Sequence, residues 1–127
     1  MKILDRIKNI VISRKRFFNN KYSLTLLIIA LLINLASWLY IFLYIKPQSE
    51  PIFLHYNIYY GVDLIGNWYQ IYLYIPFIAL VVYFINAFIS YILYRRDIKL
   101  TFLIQGINIF LQISILASTY LIVKQNL

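Results

Sequence analysis

The chain has 127 residues, of which 63% are hydrophobic and 13% are charged, and its net charge is +8. A soluble domain of this size hides only about two-thirds of the surface of its unfolded chain, so this composition argues against a water-soluble fold and predicts an integral membrane protein. Seven of the twelve basic residues lie in the first 21 positions, which is typical of membrane topology and argues against nucleic-acid binding. The absence of cysteine excludes disulfides and thiolate sites.

The N-terminal segment, residues 1–22, combines basic residues with an apolar helical spacing. The spaced apolar residues are Ile3, Leu4, Ile7, Ile10 and Val11. This pattern predicts an amphipathic helix on the membrane surface, with Arg14, Lys15 and Arg16 facing anionic lipid of the inner leaflet. The alternative is a basic flank that only sets the topology.

Three long stretches contain no Asp, Glu, Lys or Arg, and each is long enough for the roughly 20 helical residues that cross a bilayer. We predict membrane spans at 23–45, 68–94 and 100–123. The predicted fold class is therefore all-α integral membrane, a single domain over 1–127. Pro76 lies inside the second span and should kink the helix or free a carbonyl group.

The connections between the spans set the predicted orientation. Residues 95–99 are basic and, like the N-terminus, are predicted to be cytoplasmic by the positive-inside rule. Residues 46–67 then form an outer loop, and residues 124–127 an outer tail. These features predict a plasma membrane location, with the N-terminus in the cytoplasm and the C-terminus external.

Polar residues recur at helical spacing in the spans and should face other helices. The predicted interhelical packing residues are Asn34, Asn86, Gln105, Asn108 and Gln112. Their depths predict two amide layers, one that pairs Asn34 with Gln112 and one that pairs Asn86 with Asn108. A polar path for a solute is the alternative interpretation.

The outer loop is too apolar for a simple tether, and it holds the only histidine of the chain. His55, Asn57 and Asp63 form the candidate loop site. One histidine and one aspartate are too few ligands for a zinc site, and no serine stands in a nucleophile elbow. We therefore predict no catalytic residues, no metal and no cofactor. The three residues either hold the loop together or contact a partner.

The same loop resembles a bacterial membrane family of unknown function, the domain that opens the Sdp-type immunity proteins. The matching residues are Pro51, His55, Tyr56, Asn57, Gly61 and Asp63. The similarity covers residues 50 to about 94. It implies a small envelope protein that acts in immunity to peptide toxins or in signalling.

Together these features predict a non-enzymatic, multi-pass membrane protein whose outer loop recognises a partner, a peptide or a lipid. An accessory subunit of a larger membrane complex is one alternative. A small oligomeric channel or transporter is another. The expected partners are anionic membrane lipids and either another protein or further copies of this chain.

Overall fold

The described part of the chain forms four helices and one β-hairpin. The computed structural model describes residues 2–127, apart from the side chains of residues 13 and 14. The elements in chain order are α1 (Lys2–Asn19), α2 (Lys21–Tyr44), β1 (Ile52–Asn57), β2 (Gly61–Gly66), α3 (Gln70–Leu93) and α4 (Ile98–Gln125). The predicted dominance of helix is confirmed, but the all-α class is wrong because residues 52–66 form a two-stranded antiparallel sheet.

Helices α2, α3 and α4 are long and apolar enough to cross a membrane. They begin and end within one or two residues of the predicted spans. At the starts of α2 and α4 the difference arises because each helix begins directly after a capping residue. Asn20 accepts hydrogen bonds from the amides of Tyr22 and Ser23, and Asp97 caps α4 in the same way.

Helix α1 is attached to the bundle at its C-terminal end. The Phe17 ring, 3% exposed, packs edge-on against Tyr91 and Tyr94 with centroids 5.5 and 5.4 Å away. Asn20 Nδ2 donates to the Tyr94 hydroxyl at 3.0 Å. The apolar residues Ile3, Leu4, Ile7, Ile10 and Val11 are exposed. We call this part of the molecule the α1 end.

The expected lipid-facing cations are placed at this end, although lipid contact itself stays a prediction. The side chains of Lys15 and Arg16 are exposed. The side chain of Arg14 lies outside the described residues.

Side-chain hydrogen bonds fix the register of the three long helices. Thr101 Oγ1 donates to the Ser90 carbonyl at 3.4 Å, and Gln112 Nε2 donates to the Ala79 carbonyl at 3.0 Å. Helices α3 and α4 are thus antiparallel, with Ser90 opposite Thr101 and Ala79 opposite Gln112. Because α2 and α4 both start at the α1 end, they run parallel.

The local disturbance expected at Pro76 takes the form of a π-helical turn over Leu73–Phe77. Proline has no amide hydrogen and its ring excludes the usual bond to the carbonyl four residues earlier, so the helix widens there. Asn34 Nδ2 donates to the Pro76 carbonyl at 3.2 Å. The wide turn thereby joins α3 to α2.

The hairpin turns over a three-residue loop, 58–60. Gly61 closes the loop with a φ of +75°, a conformation that glycine adopts without strain. Asn57 Oδ1 accepts from the Tyr59 amide at 2.9 Å, which stabilises the turn from the other strand. The strands lie at the end of the bundle opposite α1, which we call the hairpin end.

Candidate functional site

The hairpin is packed onto the helices and is part of the fold. Ile52 and Leu54 on β1 are each only 2% exposed. They share an apolar cluster with residues of all three long helices and of the α2–β1 connection: Ile41, Ile45, Ile71, Ile122 and Val123. Burying two large aliphatic side chains contributes roughly 1.5–3 kcal/mol each, which is enough to hold a short hairpin that would be marginal alone.

Asn126 fastens β1 to the end of α4. Its Oδ1 accepts from the Phe53 amide at 2.8 Å, and its Nδ2 donates to the Phe53 carbonyl at 2.9 Å and to the Ile122 carbonyl at 2.9 Å. The sequence interpretation missed this residue, because it lay in the predicted outer tail. The sequence did contain one indication of its role. Asn126 places a side-chain amide directly after the last helix, where the final backbone carbonyls lack hydrogen-bond donors.

His55 and Asp63 form the centre of the candidate loop site. His55 Nδ1 lies 2.6 Å from Asp63 Oδ1, and the two side chains are 59% and 38% exposed. Register irregularities on either side of His55 turn these side chains toward each other across the strands. Asn57 does not join them, because its side chain is used in the turn.

The contact between the two side chains can hold the hairpin together. A histidine–carboxylate contact orients the imidazole and joins β1 to β2. The described residues contain no group of three or more potential metal ligands. The ring edge of His55 that faces away from Asp63 is available to a partner.

A cavity of about 280 Å³ lies between the hairpin and the helices. Leu54 and Leu64 of the hairpin line it together with Ile78 of α3 and Ile115 of α4. Among its lining residues, His55, Tyr74 and Ser118 carry polar groups. An apolar space with few polar groups suits one aliphatic or aromatic side chain.

The tip and one edge of the hairpin have no partner among the described residues. Ile58, Tyr59 and Tyr60 at the tip are 84–88% exposed. The edge of β2 that faces away from β1 forms no hydrogen bond within residues 2–127, and its side chains are mostly apolar. Exposed strand edges and apolar tips are features of surfaces that bind other chains.

Beneath the hairpin end, one amide pair joins all three long helices. Asn34 Nδ2 donates to Gln112 Oε1 at 3.1 Å, and Gln112 Nε2 reaches the Ala79 carbonyl. The Trp38 indole, which the sequence interpretation did not single out, donates to Asn34 Oδ1 at 3.0 Å. Both amides are fully buried and bonded, so this layer fixes how α2, α3 and α4 pack.

The second predicted layer, Asn86 with Asn108, does not form. The antiparallel register sets Asn86 level with Gln105 instead, and Gln105 Nε2 donates to Ser23 Oγ at 2.7 Å. Neither Asn108 amide atom has a hydrogen-bond partner within the described residues. The same is true of Asn86 Nδ2, Gln105 Oε1 and Ser90 Oγ.

The comparisons find no family model, curated protein or solved structure that matches this chain. The fold and the hairpin end define the class to which the protein belongs: a small helical protein with three membrane-length helices and a docked β-hairpin. Its function is inferred from this geometry.

Proposed function

We propose that the protein is a non-enzymatic, multi-pass protein of a bacterial plasma membrane, and that its hairpin end recognises an extended apolar polypeptide outside the cell. The observation that carries this proposal is an exposed aromatic tip on a hairpin that is rigidly docked. A preorganised surface loses less conformational entropy on binding than a mobile loop does. Tip residues that are held in place therefore bind a partner more tightly.

The distribution of charge supports this orientation. Lys and Arg are concentrated at the α1 end and in the α3–α4 turn, whereas Lys46 and Lys124 are the basic residues near the hairpin end. The positive-inside rule therefore places the α1 end in the cytoplasm and the hairpin end outside. Tyr40, Tyr44 and Tyr69 lie where an outer aromatic belt is expected.

Three features of the hairpin end favour a polypeptide as the partner. The unpaired edge of β2 offers backbone groups to which an extended segment can add as a further strand. The adjacent cavity, about 280 Å³, accepts a side chain of that segment. The resemblance of residues 50–94 to the domain of Sdp-type immunity proteins also points to a peptide.

The proposal is tested by photo-crosslinking in living cells. A photoreactive phenylalanine analogue at Tyr59 should capture a polypeptide, and the same analogue at Tyr22, an exposed tyrosine at the α1 end, should not. Adding Asn126→Ala should reduce capture because the hairpin loses its anchor, whereas Gln125→Ala should leave it unchanged. Equal capture at Tyr59 and Tyr22, or capture of lipid alone at Tyr59, would contradict peptide recognition.

A permanent complex is the second candidate, because an exposed strand edge and tip also suit a fixed partner subunit. The two differ in stoichiometry. A subunit co-purifies with its complex in a constant ratio in mild detergent, whereas a receptor for a transient peptide is isolated alone.

A further inference from the structure

The α1 end contains an apolar groove of about 810 Å³ between α1, α2 and α3. Phe18 of α1, Leu27 of α2 and Phe84 and Phe88 of α3 line it, and Lys15 stands at its border. The docking of Phe17 onto Tyr91 and Tyr94 holds α1 at the position that forms this groove. The groove is therefore a feature of the fold and not of one exposed helix face.

Two cavities lined by arginine lie at the same end of the bundle, and one of them adjoins the groove. One, of about 560 Å³, is lined by Tyr91, Arg95 and Arg96, and Tyr91 also lines the groove. The other, of about 530 Å³, is lined by Arg16 and Arg95. The shared residues Tyr91 and Arg95 place the three spaces side by side.

Among the described side chains, the cations of these cavities have no acidic partner within 4.0 Å. The short contact between a basic and an acidic side chain in this part of the chain is that of His55 with Asp63, at the opposite end of the bundle. Asp97, the carboxylate closest to Arg95 in sequence, accepts from the amides of Lys99 and Leu100. Guanidinium groups left free in this way are suited to phosphate, which they bind through paired hydrogen bonds.

We propose that the α1 end binds one anionic phospholipid, with its phosphate against Arg95 and Arg96 and an acyl chain in the adjoining apolar groove. Charge complementarity selects the headgroup, and the aromatic and aliphatic walls select the chain. A free anion uses only the cations, and an apolar helix uses only the groove. A phospholipid uses both. This lipid-binding proposal rests on the membrane location of the chain but not on peptide recognition at the hairpin.

The test measures thermal unfolding of the full chain, purified in a non-ionic detergent, with added lipid. Phosphatidylglycerol should raise the unfolding temperature at low molar excess, because a ligand that binds only the folded state stabilises it. Phosphatidylcholine with the same acyl chains should have a much smaller effect, and so should inorganic phosphate. Equal effects of the two lipids would overturn the proposal, as would a full effect of inorganic phosphate alone.

Variants separate the two parts of the site. Arg95→Gln with Arg96→Gln should weaken phosphatidylglycerol binding about 30-fold, as expected for the loss of two basic contacts with anionic lipid. Both side chains are exposed, so the fold should be retained. Lys46→Gln with Lys124→Gln removes two charges from the hairpin end and should leave binding unchanged. Equal loss in both double variants would show a general charge effect and would overturn the site.

The groove has its own variant. Ala87 lines the groove, and Ala87→Trp should fill it and weaken phosphatidylglycerol binding while all cations remain. Undiminished binding by a folded Ala87→Trp protein would contradict the proposed acyl-chain site.

Discussion

The hairpin half of the bundle and the α1 half satisfy their polar groups in different ways. In the hairpin half, Asn34, Gln112 and Asn126 all have hydrogen-bond partners, and the hairpin is packed on buried Ile52 and Leu54. In the α1 half, five buried polar atoms of α3 and α4 have no partner within the described residues, and most apolar side chains of α1 are exposed.

This difference indicates which half satisfies its buried polar atoms without help from other molecules. A buried polar atom without a partner costs about 1–3 kcal/mol, and native proteins usually satisfy such atoms with ordered water or a bound ligand. The hairpin half is preorganised and can present a fixed surface. In the α1 half, the exposed apolar side chains of α1 and the neighbouring groove leave apolar surface that lipid can cover.

The amide layer of the hairpin half should show the largest effect. Gln112→Leu removes two hydrogen bonds and leaves Asn34 buried with fewer partners, so we expect a loss of about 2 kcal/mol in the free energy of unfolding. Asn108→Leu is the matched change in the α1 half, and it should be neutral or stabilising because Asn108 has no partner to lose. Denaturant unfolding in detergent measures both. A greater loss for Asn108→Leu would reverse the comparison.

The close packing of Gly66 comes next. A methyl group there would clash with Gln70 Oε1, which accepts from the Asn67 amide, and would lie 2.6 Å from Cδ1 of buried Leu54, so Gly66→Ala should cost about 1.5 kcal/mol. Gly106 in α4 has nothing within 4 Å of the same position, and Gly106→Ala should stabilise the helix by about 0.5 kcal/mol. Thermal unfolding compares the two. A neutral Gly66→Ala would mean that the side chains of Gln70 and Leu54 move aside without cost.

The anchor at Asn126 should have a smaller, local effect. Asn126→Ala removes both bonds to Phe53 and should lower stability by about 1 kcal/mol. Hydrogen exchange should show faster exchange in β1, while α2 and α4 keep their protection. Gln125→Ala is the control. Unchanged exchange in β1 would show that the apolar cluster alone holds the hairpin.

The exposed pair of the hairpin should have the smallest effect on stability. His55→Ala removes a largely exposed contact with Asp63, and such pairs contribute less than about 1 kcal/mol. We therefore expect the unfolding temperature to remain nearly unchanged. Crosslinking from Tyr59 should nevertheless decrease if His55 contacts the peptide. A large fall in stability would instead assign the pair a purely structural role.

The sequence predicts the long helices and the first amide layer because both depend on local information. Charge-free length defines the spans, and depth within a span brings Asn34 to the level of Gln112. The second layer was predicted wrongly because depth within a span does not determine which residues of two helices lie side by side. The tight turn that ends at Asp97 fixes the register of α3 against α4, and this register aligns Asn86 with Gln105.

The hairpin and its anchor could not be predicted for a different reason. Asn126 and Phe53 are 73 residues apart, and their contact follows from the way the helices bring both ends of the chain together. The run from Ile52 to Ile65 contains the β-branched and aromatic residues of strands, but irregular register hides the alternation. His55 and Asp63 could be recognised from their residue types. That Asn57 does not join them could be seen only from the turn, where its side chain accepts from the Tyr59 amide.

Labelling of single cysteines tests the opposite placement of the two ends most directly, because the chain has no cysteine of its own. Tyr59→Cys lies at the exposed hairpin tip and Lys8→Cys lies on exposed α1. In intact cells, a membrane-impermeant maleimide should label the Tyr59→Cys protein and should label the Lys8→Cys protein only after permeabilisation. Labelling of the Lys8→Cys protein in intact cells, with protection of Tyr59→Cys, would contradict an outward hairpin.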